Sequence, residues 1–127
     1  RRIHSIRALY QNVLDMTVHA QTALNEQNGH HLGPQPWKHL SERKIAIQRL
    51  SIFDVPDAKI AVAIIPMPIS IERLCDGLSL LWHQAEEPPP IEHPADDEVD
   101  AALGVVITRA KETIALCDLY IVEHTRG

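Results

Sequence analysis

The sequence predicts an all-α fold, an up-down four-helix bundle whose second helix is kinked or broken near Pro56. Three observations carry this expectation. Apolar residues recur at alternating steps of three and four over long stretches, the repeat of a helix with one buried face. The 9 prolines gather at 34–36, 56–68 and 88–94, so long proline-free stretches are joined by links that cannot continue a helix. Aromatic residues make up only 4% of the chain, so the core has to be built from aliphatic side chains.

Residues 2–28 carry the strongest pattern. Ile3, Ile6, Tyr10, Val13, Thr17, Ala20 and Leu24 form an unbroken a/d seam, and Leu9, Met16 and Ala23 widen it as a bundle helix requires. Asn28-Gly29 supplies the helix stop. A second helix spans 37–53, with Pro36 suited to its first turn and Leu40, Ile47 and Leu50 on one face. Asp54 is placed to cap the next segment, with Pro56 in its first turn. The stretch 58–65 reads either as a short buried helix or as a strand, because periodicity alone does not separate the two. Helix is favoured, since nothing else in the chain offers a strand for it to pair with.

Pro66 and Pro68 open the third helix, with Ile71, Leu74, Leu78, Leu81 and Ala85 as its seam. Pro88-Pro89-Pro90 ends it. Asp96 or Asp97 caps the fourth helix, which runs to about Glu123 with Leu103, Ile107, Ala110, Ile114, Cys117, Ile121 and His124 on its seam. The chain opens on Arg1-Arg2 without an initiating Met and with helical periodicity already under way. Residues 1–127 therefore read as a single helical-bundle domain excised from a longer chain.

Charge and motif narrow the function. Residues 1–53 hold seven basic and three acidic side chains, and residues 54–127 hold five basic and fourteen acidic, for a net charge of −5. An acidic half of this kind argues against nucleic acid, which needs a basic face to neutralise phosphates. The longest weakly charged run, 60–71, is far short of the ~20 apolar residues that span a bilayer. No transmembrane segment is expected in the chain, although the basic opening Arg1, Arg2 and Arg7 would suit an adjacent membrane segment. Cys75 and Cys117 stand in apolar helical patterns beside Asp76 and Asp118, which marks them as buried reduced thiols rather than nucleophiles. With no secretory signal, that usage points to the cytoplasm or the cytoplasmic face of a membrane protein.

The common chemistries of helical bundles fail by motif. There is no Cys-x-x-Cys, no His-Glu-x-x-His and no Glu-x-x-His, so no zinc or di-iron set is spelled out. No phosphate-binding glycine loop and no Gly-x-Ser-x-Gly occur. His83 and Glu87, four apart, are a single fragment of a metal pattern, and His30-His31 lie in a loop. Asp15 and His19 read as a surface i,i+4 pair. No catalytic, cofactor-binding or metal residue is assigned, and no cofactor. The leading expectation is a non-catalytic interaction or regulatory domain that assembles, with itself or a protein partner, through an amphipathic helix face. It would be the soluble part of a membrane transporter or sensor in one version. Two alternatives differ in class. One is a small-molecule sensor with an interhelical pocket walled by Trp37, Trp82 or Tyr10. The other is a metal-dependent or other enzyme using His83, Glu87 and Asp76.

Overall fold

The computed structural model describes residues 2–27, 35–50, 54–84 and 94–125, with side chains over 2–22, 38–50, 54–78 and 98–125. Among the described residues every long element is a helix and no strand occurs: α1 (Arg2–Gln27), α2 (Gln35–Gln48), α3 (Ala58–Ile64), α4 (Met67–Gln84) and α5 (Pro94–Thr125). α3 and α4 form one rod bent at 65–66, so the architecture is a four-helix bundle. The bend falls where Pro66 lacks the N–H that a continuous helix would use. Within the stretch 58–65 the chain is helix to Ile64 with Ile65 as its C-cap, and it joins the third rod rather than extending the second.

Each rod lies against its neighbours in sequence, and the ring closes through α1 against α5. α1 packs mainly on α5 and less on α2, while α4 packs on both α2 and α5 and α3 packs on α5. Arg7 near the start of α1 bonds to Asp118 near the end of α5, so those two helices run antiparallel.

Most seam positions are where the periodicity puts them. Ile3, Ile6, Tyr10, Val13, Thr17 and Ala20 are buried on α1, Leu40 and Ile47 on α2, and Ile71, Leu74 and Leu78 on α4. The buried threonine hydroxyls are satisfied by their own helix, whereas the buried Tyr10 hydroxyl has no hydrogen-bond partner among the described residues. Thr17 Oγ1 donates to the Val13 carbonyl at 2.9 Å, and Thr113 Oγ1 donates to the Arg109 carbonyl at 2.9 Å. Leu24, Leu81 and Ala85 lie outside the described side chains, as does the Asn28-Gly29 stop.

Several details differ from the sequence expectation. α2 stops at Gln48, where the Leu50 N–H turns tightly back to the Ile47 carbonyl at 3.0 Å. The cap of α3 is Asp57, not Asp54: its Oδ1 accepts from the Lys59 and Ile60 N–H groups at 2.8 and 3.2 Å. Asp54 instead faces Arg2 at 4.0 Å. α5 begins at Pro94, which places Asp96 and Asp97 inside its first turn rather than ahead of it. Its buried stripe runs through Val99, Leu103, Val106, Ala110, Thr113 and Cys117, leaving Ile107 and Ile121 half-buried. A straight helix drifts about 20° per heptad away from a strict 3.5-residue seam, which carries His124 out to solvent. There His124 stacks on Tyr120, ring centroids 3.8 Å apart.

Candidate interaction surface

The bent α3–α4 rod turns Ile60, Ile64, Met67, Ile71, Leu74 and Leu78 to the core. The same 3.6-residue repeat sends Val62, Ile65 and Ile69 to the opposite side, where they are 66%, 56% and 58% exposed. They step by three and four, so they form one aliphatic stripe that crosses the bend on the water side. α5 repeats the pattern. Opposite its buried stripe, Ala101, Val105, Thr108, Glu112, Ala115, Leu119 and Val122 step 4, 3, 4, 3, 4, 3, and all seven are exposed. α5 thus carries two seams, one facing the core and one facing water.

Between α4 and α5 lies an open groove of about 540 Å³. Its floor is close-packed. A Cβ added at Gly77 would stand 2.7 Å from Val99 Cγ2, so only glycine lets the helices approach this closely there. Arg73 and Asp76 line it from α4, and Glu98, Val105 and Arg109 from α5. The groove continues along α5 past Gly104 and Thr108. Arg109 Nε is buried without a hydrogen-bond acceptor among the described residues, a donor left unsatisfied at the groove wall.

Only some of the residues singled out by sequence fall among the described side chains. Asp76 lines the groove, while the side chains of His83 and Glu87 lie outside the described residues, as do those of Trp37 and Trp82 and the His30-His31 loop. Tyr10 is fully buried inside the bundle and does not wall the groove. Asp15 accepts from Gln11 Nε2 at 3.0 Å on the exposed side of α1. Among the described residues, no three His, Cys, Asp or Glu side chains converge as a metal site would need, and no helix is long and apolar enough to cross a membrane.

Both cysteines are buried and outside any disulfide. Burial pushes the Cys75 thiol up, against a smaller opposing pull from the Ser41 hydroxyl, which donates to its sulfur at 3.7 Å. Burial, with Asp118 beside it, pushes Cys117 up to about 11. Neither environment favours a thiolate.

Off-seam apolar residues in the sequence point to spare apolar surface on α1, at Leu9, Leu14 and Met16, and on α5, at Val105 and Val106 beside Ile107. The three on α1 are partly buried against the core and Val106 is buried, while Val105 is exposed. Leu119 and Val122 continue the exposed side of α5 from Val105 at the same 3/4 spacing, and the stripe on α3–α4 carries that spacing too. Comparison with protein-family models, with curated proteins and with solved structures finds no match to this chain.

Proposed function

We propose that the domain is a non-catalytic assembly module that docks through the outer face of α3–α4 and the adjoining face of α5. One observation carries this reading. Val62, Ile65 and Ile69, three large β-branched side chains at helical spacing, stand more than half exposed in one row. Isolated exposed aliphatics are ordinary, but an ordered row on the wrong side of a helix marks surface meant to be covered. The flanking groove adds charged groups that can orient a partner.

A photoreactive side chain in place of Ile65 tests the reading. It is expected to yield a defined protein adduct, either in the purified chain or in cell extract. Ile69→Lys added to the same chain should abolish that adduct without lowering the thermal midpoint. An adduct that forms equally well with Lys at 69 would remove the stripe from any docking role.

A further inference from the structure

We propose that copies of this chain assemble head to tail, with α2 of one copy lying parallel to the C-terminal half of α5 of the next. This deepens the docking reading above, on which its use of the outer face of α5 rests, by naming what covers that face.

Charge is concentrated on two of the four rods. α1 and the α3–α4 rod each carry two basic and two acidic side chains. α2 carries three basic against one acidic, and Arg49 directly follows it. α5 carries seven acidic against two basic. α2 and α5 each pack on α1 and α4, so they occupy opposite corners of the bundle. The chain is thus basic along one edge and acidic along the far one. A second copy in the same orientation presents to each edge the one that attracts it.

The side chains on these two edges match in detail. α2 turns Lys38, Glu42, Ile45 and Arg49 to water, and α5 turns Glu112, Leu119 and Glu123. Ile45 is 45% exposed and Leu119 is 51% exposed. The Arg49 N–H still donates to the Ile45 carbonyl at 3.1 Å, so Arg49 keeps the helical repeat. With the two helices parallel and Ile45 set on Leu119, Lys38 falls on Glu112, and Ser41 and Gln48 fall on Ala115 and Val122. These are the a and d positions of a two-heptad seam. In such a seam the g side chain of one helix meets the e side chain of the following heptad on the other. Lys111 then meets Glu42, Asp118 meets Arg49, and Lys44 meets Glu123. Every charged pair formed at these positions is of opposite sign. Asp118 keeps Arg7 as its partner within its own chain and gains a second cation. Sliding α2 one heptad toward the start of α5 would set Ile45 on Glu112 and Arg49 beside Lys111, so the charges select one register.

The two edges differ, so the contact is heterologous. Each copy leaves one α2 and one α5 open, and opposite corners extend the assembly as an open line. A seam of two heptads is short, so growth depends on concentration. Salt weakens it by screening the charged pairs, which are exposed.

The test uses the full chain, read as molar mass by light scattering. The wild-type mass is expected to rise past two copies with concentration and to fall when salt is added. Ile45→Glu blocks α2 and Leu119→Glu blocks α5, so each variant alone should be monomeric. Mixed in equal amounts they should stop at twice the chain mass, because one intact α2 and one intact α5 remain. Both positions are exposed, and circular dichroism shows whether each variant is folded. Should either unfold, charge exchange decides. Lys38→Glu and Glu112→Lys should each raise the concentration needed for growth about tenfold or more, and both changes in one chain should restore it. A wild-type chain that stays monomeric across the accessible concentration range overturns the proposal. So do single variants that assemble as the wild type does, a mixture that fails to pair or grows past two copies, or a doubly exchanged chain that stays monomeric. A monomeric wild type that still yields an adduct at position 65 with a different protein overturns the head-to-tail pairing and leaves the docking reading standing. Growth as expected without any adduct at position 65 supports the pairing and removes the α3–α4 stripe from the docking reading.

Discussion

α1 and α5 lie side by side, yet they treat water differently. The outer side of α1 is largely polar, carrying Arg2, His4, Asn12, Asp15 and His19 among its exposed residues, with Val18 as its single large exposed apolar side chain among those described. The outer side of α5 carries Val105, Leu119 and Val122. One core accounts for every seam residue described on α1. It leaves Val105, Leu119 and Val122 of α5 uncovered. On the docking reading proposed above, the partner would cover the α5 side of the bundle, where the apolar residues outside the core stripe lie.

The sharpest way to break this comparison is to make one chemical change on each face of α5. Leu103 is fully buried and Leu119 is 51% exposed. Leu103→Ala should cost about 2–5 kcal/mol in urea unfolding, through lost burial and the cavity left behind. Leu119→Ala should stay within about 0.5 kcal/mol, as surface substitutions do. Comparable losses at the two sites would mean that α5 is buried on both sides and that the second seam is not a surface. The two glycines give the next contrast. Gly77→Ala drives a methyl into Val99 and should destabilise by about 1–3 kcal/mol. Gly104→Ala meets open space and should stabilise the helix by about 0.5–1 kcal/mol. Measuring both at low protein concentration keeps any association out of the comparison. A loss at Gly104 there would show that its outer side is already occupied within the chain.

The ends of the α3–α4 rod show what the sequence made legible and what it did not. Seams on α1 and α4 could be read directly, because each helix has a single buried face and the 3/4 repeat reports it. Residues 58–65 are apolar nearly all round, so their composition says that they are buried without saying which side. Packing on α5 selects Ile60 and Ile64 and leaves Val62 and Ile65 outside, and that selection is a tertiary fact. The same packing decides the cap. Asp54 and Asp57 flank Pro56 and are equally good candidates by residue type, but a helix starting after Asp57 is the one observed, with Ile60 and Ile64 against the core. Asp57→Ala should therefore cost about 1 kcal/mol in thermal or urea unfolding, and Asp54→Ala much less. Equal effects would move the start of the helix back toward Asp54. The groove was the least legible feature, since its charges come from two helices and their order depends on the Gly77–Val99 approach.

The cysteines give the smallest effect near neutral pH, and it separates the two faces of α5 once more. Cys117 sits on the core stripe and Asp118, one residue on, reaches outward to Arg7. Burial raises both thiols above the ordinary value, Cys117 to about 11. The sign depends on which state holds the proton more tightly. The unfolded chain loses its thiol protons near pH ~8.5, while the folded chain keeps them longer. The contribution of these thiols to stability is then complete below that pH and falls away as pH rises toward the folded value for Cys117. Replacing Cys117 with Ala should flatten that alkaline decline in urea unfolding, though the cavity it leaves lowers stability at every pH. Thiol-reactive labelling of the native chain should be slow at both positions and speed up only with unfolding. Rapid labelling of Cys117 in the folded chain would mean that the inner face of α5 is open to water, and the distinction between its two seams would fall with it.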